Sequence, residues 1–256
     1  MISTELRLIA AHLEGLEESI IHRLLDRAQF ATNEIVYRAG QSGFEGEKGQ
    51  SLFELRLRYQ EQMDAEFGRF MVPEERPFHR DLPRPRRSIE MASSPLSREA
   101  SAAVNRTESI VSRYLAYVPV IASGGDDGQY GSSVEHDVLA IQAIGRRVHY
   151  GALYVAESKY LDNPKAISEA AGKAASGDTQ PLLALITRPE VEQRILARIG
   201  EKVTYIQASV NPEVRRRVDN EAVLQLYRDT IIPETKQGEI DYLVARQESH
   251  RLSSKT

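Results

Sequence analysis

The run Gly145-Arg-Arg-Val-His-Tyr-Gly-Ala-Leu-Tyr-Val-Ala-Glu-Ser-Lys159 sets two cations, Arg147 and Lys159, in an otherwise largely apolar stretch of helical character. Buried cations need an anionic partner. Further along, Glu192 lies in Arg188-Pro-Glu-Val-Glu-Gln-Arg-Ile-Leu196, and Thr235 and Glu239 lie in Ile232-Pro-Glu-Thr-Lys-Gln-Gly-Glu-Ile-Asp-Tyr-Leu243. Thr235 and Glu239 are four residues apart, so a helix carries them on one face. Taken singly, each is an ordinary salt-bridge or solvated-face residue. Together they offer cations, a hydroxyl and carboxylates, a set suited to holding a small anionic molecule.

The elements that must position these groups read as helices. Leu6, Ile9, Leu13, Leu16, Ile20, Leu24 and Ala28 recur at three- and four-residue steps, with Ser3 or Thr4 as the N-cap. A Gly-rich connection over 40–49 precedes a second helix, 52–70, and prolines 73, 77, 83 and 85 then stop regular structure. A third helix is expected over about 96–117. Ser133 is expected to cap a long helix running through the opening motif to about Leu161. Pro189 suits the first position of a helix to about Gln207, and two more helices are expected over about 220–230 and 233–251. No segment alternates as a strand does, and no internal repeat is present. The expectation is one all-α domain over residues 1–256, a multi-helix bundle with a long central helix.

Composition narrows the function classes. The 256 residues, 41% of them hydrophobic, suffice for a sizeable core. No apolar run reaches membrane-spanning length, and Glu5, Arg7, His12 and Glu14 interrupt the first stretch where a signal peptide needs an apolar core, so a cytoplasmic protein is expected. The absence of cysteine excludes disulfides, thiolate catalysis and cysteine metal sites. A formal charge of −4 argues against general nucleic-acid binding and requires any dianionic substrate to be drawn by a local cationic pocket. Arg84-Pro-Arg-Arg87 and Arg215-Arg-Arg217 lack aromatic stacking partners and read as solvated loops. His136 and His149 lack the neighbours of a metal site.

With Glu18-Ser-Ile-Ile-His-Arg-Leu-Leu-Asp-Arg-Ala-Gln-Phe-Ala31 added to the motifs above, the chain resembles the all-helical chorismate mutases of yeast and plants along almost its whole length. The resemblance implies an enzyme that rearranges chorismate to prephenate in phenylalanine and tyrosine synthesis, without metal or organic cofactor. It implies catalytic roles for Arg147, Lys159, Glu192 and Glu239, and substrate binding by Thr235. Chorismate carries two carboxylates, a hydroxyl and an enol ether, and its concerted shift needs no nucleophile. Catalysis comes from holding the reactive conformer and stabilising negative charge on the ether oxygen. In that scheme Arg147 binds a carboxylate, and Lys159 donates to the ether oxygen and a carboxylate. A protonated Glu239 gives a second donor to the oxygen, which requires a raised pKa. Glu192 accepts from the substrate hydroxyl. Five matches in order outweigh the salt-bridge reading that each residue has alone.

Three departures from the family carry structural expectations. The family's first-helix arginine, nine residues before Ser-Ile-Ile, is Ala10 here, and Arg188 stands where the family has an asparagine. Arg188, at the positive end of a helix, is the expected replacement cation, with Arg7 the second candidate. The family spaces its arginine and lysine eleven apart, whereas Arg147 and Lys159 are twelve apart. At about 100° per residue this misaligns Lys159, and a one-residue π-bulge within about Tyr150 to Val155 would restore its register. Finally, the resemblance implies a homodimer with an aromatic amino acid effector site. Gly131-Ser132 and Arg69 match that site, while Gly68 and Glu135 replace two of its residues. Gly131-Ser132 also suits an ordinary turn and cap. The alternatives are a mutase for an amino-substituted or isomeric chorismate, and a catalytically impaired regulatory or binding protein on the same scaffold.

Overall fold

Apolar residues at helical spacing fold most of the chain that the structure describes into helices. The structure is a computed structural model and describes residues 5–87, 90 and 93–253. The helices are α1 (Leu6–Arg27), α2 (Leu52–Glu66), α3 (Arg98–Ala103), α4 (Thr107–Ile121), α5 (Tyr130–Tyr150), α6 (Ala156–Asp162), α7 (Pro164–Ala175), α8 (Gln180–Ile186), α9 (Pro189–Ala208), α10 (Asn220–Leu226) and α11 (Ile232–Ser253). No β-strand occurs among the described residues, where an isolated bridge joins Ala31 to Ser123. Ser3 and Thr4, expected as caps, lie outside the described residues.

α5 packs along α1 and α2, while α11 packs against α3 and α7. Two apolar clusters result. One gathers Ile20, Leu24, Tyr114, Ile141 and Val148. The other gathers Ala152, Leu153, Tyr154, Ile167 and Leu243. The Arg147–Lys159 motif crosses the seam between them. At the far end of α5, a buried ion pair fixes α1 against it: Arg27 Nε donates to Asp137 at 2.7 Å, and Tyr37 and Tyr114 donate to the same carboxylate at 2.6 and 2.8 Å.

Several boundaries differ from the sequence expectation, each for a local reason. The helix expected over 96–117 is two helices, α3 and α4. Val104 turns extended, and Asn105 Oδ1 accepts from the Thr107 backbone N–H at 3.0 Å, which starts a new helix. The helix expected to 70 ends at Glu66, because Gly68 takes a left-handed φ of 83° before a 3-10 turn, Arg69–Met71. Ser133 does not cap α5. The helix begins three residues earlier, and the Ser133 hydroxyl donates back to the Gln129 carbonyl and accepts from Asn33. Pro189 does open α9, with Arg188 as its N-cap.

The two last helices are not separate either. A π segment, Tyr227–Ile231, joins α10 to α11 across Pro233. Proline has no N–H for the carbonyl four residues back. That carbonyl, Asp229, accepts instead from the Arg113 guanidinium at 2.9 Å. The basic cluster expected to be solvated is also partly structural: Arg215 pairs with Asp26, and Arg216 donates to the Ala28 and Ile121 carbonyls, clipping the ends of α1 and α4.

Candidate active site

A π segment occupies Gly151–Val155 between α5 and α6, within the window in which a bulge was expected. It absorbs the extra residue between Arg147 and Lys159. Two close approaches hold it. A Cβ on Gly238 of α11 would lie 2.6 Å from the Ala152 Cβ. A Cβ on Gly151 would lie 2.8 Å from Thr235 Cγ2 and 3.0 Å from Arg147 Nη1. Gly238 is needed because α11 approaches the π segment closely, and Gly151 because the Thr235 and Arg147 side chains fill the space a Cβ would take. The second contact also shows that Thr235 and the Arg147 guanidinium share one space beside Gly151.

Lys159, carried past the bulge by α6, reaches Glu239 on α11, its Nζ donating to Oε2 at 2.6 Å and to the Ile186 carbonyl at 2.6 Å. Glu239 is 5% exposed. Burial raises its pKa, with Lys159, Lys236 and Arg147 acting in the opposite direction. Thr235, one turn before Glu239, donates its hydroxyl hydrogen to the Ile231 carbonyl at 2.7 Å. Glu192, in the first turn of α9, pairs with Lys236 of α11 at 2.6 Å.

Arg147 is 4% exposed, yet its Nε and Nη1 have no hydrogen-bond partner. Leaving charged donors unpaired in the interior is costly, so this guanidinium is set to receive an anion. Burial is the main influence lowering its pKa, but an arginine stays charged at any ordinary pH. Glu17, a buried carboxylate that could have satisfied Arg147, is taken by others. Arg198 grips it through Nε and Nη2 at 2.9 and 2.7 Å, and Lys202 stands 3.4 Å away. The Tyr227 hydroxyl is likewise buried without a partner, and its pKa, raised by burial, is lowered again by Arg147.

Arg147, Lys159, Thr235, Glu239 and Glu192 thus converge on the ends of α5, α6, α9 and α11. Arg7 does not join them: its side chain is 83% exposed, and its Nε lies 3.6 Å from Glu5. Its position ten residues before the buried Glu17 leaves it on the outer end of α1. Arg188 is exposed at the N-cap of α9, two residues from the carbonyl that holds Lys159 and four from Glu192. Among the described residues its guanidinium meets no partner. Gly131 and Ser132 lie in the first turn of α5, whereas Arg69 donates to Gln142 farther along it and to Asp64 and Glu75. At 1.5 Å per residue, Ser132 and Gln142 are roughly 15 Å apart along the helix, so one chain does not unite these effector candidates.

Glu17, Arg198, Lys202, Tyr227 and Lys236 were not singled out from the sequence. Glu17 did leave a signal, since it sits four residues after Leu13 and three before Ile20 on the apolar stripe of α1, where a carboxylate must find a partner. Arg198 and Lys202, four apart on α9, form the matching cationic face. Among the described residues, no group of three or more His, Asp or Glu is placed to hold a metal ion. His149 is used structurally: its Nε2 accepts from the Arg106 backbone N–H at 2.9 Å, and its Nδ1 faces the Gly145 carbonyl at 2.7 Å.

No protein-family model matches the chain. Individual relatives match along its length. A chorismate mutase of Schizosaccharomyces pombe is 35% identical over 255 residues, covering 96% of this chain and 98% of the relative. A chorismate mutase of Candida albicans, solved in complex with L-Trp, superposes with a TM-score of 0.86 at 30% identity, covering 96% of this chain and 92% of that one. The chloroplast chorismate mutase of Zea mays superposes with a TM-score of 0.84 at 33% identity, covering 94% of each chain. With the fold and near-complete length shared at this identity, the chain belongs to the chorismate mutase family.

Proposed function

We propose that this protein converts chorismate to prephenate. The observation that carries the reading is the buried Arg147 guanidinium, with two unpaired donors beside Thr235, in a site that also holds the Lys159–Glu239 pair. Arg147 receives one substrate carboxylate. Lys159 and protonated Glu239 donate to the ether oxygen as its bond breaks, and Glu192 accepts from the ring hydroxyl. Each group works by position and electrostatics, as a reaction without a covalent intermediate demands. Arg188, at the rim, turns inward to the second carboxylate in place of the cation absent at Ala10, with the N-terminal backbone of α9 behind it. The test is direct: purified protein and chorismate, with chorismate loss and prephenate formation followed together. Absence of turnover above the uncatalysed rate removes the reading.

The proposal includes a homodimer. α2 exposes Tyr59, Met63 and Phe67 at four-residue steps, Phe67 to 75%, and Phe44 stacks on Tyr59 with centroids 6.4 Å apart. Such an apolar stripe is the kind of surface that a partner covers. A second copy would also be needed to bring Arg69 to Gly131 and Ser132. An aromatic amino acid effector at that junction belongs to the same proposal, supported by the Candida relative solved with L-Trp. It is read by adding tryptophan, phenylalanine or tyrosine to the assay. Cytoplasmic residence is a further part of the proposal; among the described residues no helix is long and apolar enough to cross a membrane.

A further inference from the structure

α6 is only seven residues long and follows a π segment, so the geometry of α5 does not by itself dictate where Lys159 points. Something on α6 must fix it. Glu157, two residues before Lys159, is 1% exposed and takes no part in the chemistry described above. Its Oε2 accepts from the Tyr242 hydroxyl at 2.6 Å and from Arg246 Nε at 2.9 Å, and its Oε1 accepts from Arg246 Nη2 at 3.0 Å. The Tyr242 oxygen in turn accepts from the Ser97 backbone N–H at 3.0 Å, which ties in the start of α3. Arg246 also lies over the Tyr160 ring, 4.5 Å from its centroid. Glu157 and Tyr160 therefore present one face of α6 to Tyr242 and Arg246 on one face of α11. Tyr242 follows Glu239 by three residues, about one turn along α11, while Glu157 and Tyr160 flank Lys159 within two residues on α6.

A buried ionic cluster of this kind adds little net stability over an apolar contact, and its best attested use is to fix register. We propose that Glu157, with Tyr242 and Arg246, is the clamp that holds α6 against α11 so that Lys159 meets Glu239; Glu157 is a positioning residue for the reaction. The inference rests on the mutase reading. Turnover by the parent protein tests that reading, and the ratio of variant to parent tests the clamp.

The experiment compares the parent with Glu157→Gln, Tyr242→Phe, Lys159→Met and the Glu157→Gln/Lys159→Met double variant, measuring kcat, KM, the pH dependence of kcat/KM, and thermal melts. Loosening the clamp should lower kcat about tenfold or more while KM moves less than about threefold, since misplacing a catalytic donor by about 1 Å is enough for such a loss. The alkaline midpoint of kcat/KM should also rise. Lys159 then restrains the Glu239 pKa less, with Lys236 on the same helix and Arg147 on α5 as the remaining cations. In the Lys159→Met background, Glu157→Gln should cost less than about twofold, because the group it positions is gone. Equal losses in both backgrounds with an unmoved midpoint would show a purely structural role and overturn the proposal. Should Glu157→Gln fail to fold, Tyr242→Phe, which keeps the ring in its slot, is judged by the same criteria; parental kcat and midpoint in a folded variant also overturn it.

Discussion

Lys159 and Glu239 face each other at 2.6 Å, and what each can do in bond breaking depends on where the proton of Glu239 resides. Burial favours the protonated acid. Activity that needs this form is full below the folded-state pKa and falls as pH rises through it. Glu239→Gln keeps a donor without titrating, so its alkaline limb should flatten; a pH profile that stays unchanged in a folded, active variant removes this role. Arg147→Ala and Lys159→Ala should each lower kcat/KM on the order of 10²-fold or more with helicity intact by circular dichroism, the loss expected when a transition-state donor is removed. Near-parental turnover in either one excludes that residue from the mechanism. Arg188 and Arg7 separate on the same assay: Arg188→Ala should raise KM or lower turnover by about tenfold or more, and Arg7→Ala, exposed to 83% beside Glu5, should change neither appreciably. Comparable effects from both would move the second carboxylate site elsewhere.

At the scale of the elements, the π segment and α11 depend on each other. The bulge brings Ala152 so close to Gly238 that no side chain fits between them, with Val104 3.4 Å from the same point. Gly238→Ala must therefore push α11 away from α5 and α6, and the expected cost is about 1–3 kcal/mol of stability, as for other overpacked sites, together with reduced turnover. Thermal or urea unfolding measures the first and the mutase assay the second. A variant as stable and as active as the parent would mean that the helices are not held at this distance. Set against the family's eleven-residue spacing, the twelve-residue spacing of Arg147 and Lys159 made the bulge legible, because an unbroken α-helix would turn Lys159 about 100° from the family's register. The second π segment, Tyr227–Ile231, left a weaker trace. Pro233 reads as a helix start, whereas in the structure the helical path continues through it, with the Arg113 guanidinium donating to the Asp229 carbonyl that the proline leaves without an N–H.

At the scale of the whole molecule, α2 leaves an apolar face uncovered among the described residues. Tyr59, Met63 and Phe67 follow the α2 surface at four-residue steps, outside both apolar clusters. If a second copy covers this stripe, Phe67→Glu should shift the protein from dimer to monomer at micromolar concentration, since a charge in an apolar interface is strongly disfavoured. Light scattering behind a sizing column reads the mass directly. A parent that is monomeric at high concentration, or a variant that stays dimeric, would exclude this face as the interface. Sequence periodicity could not separate the stripe from a core face, because the same four-residue spacing marks both.

Residue order and spacing by themselves determined the all-helical class, because helical periodicity is a local property; the choice of Arg147, Lys159, Glu192, Thr235 and Glu239 and the expectation of a bulge came from the sequence's resemblance to the chorismate mutase family. Only the tertiary structure decided which charges are spoken for. Glu17 is gripped by Arg198 and Lys202 from α9, which leaves the Arg147 guanidinium with unpaired donors. Lys236 occupies Glu192, Arg7 stands in solvent, and Glu157 is bound to α11. Pairing of charges from helices distant in the chain depends on distances that no local pattern encodes, since Coulomb energies and desolvation are set by how the helices pack.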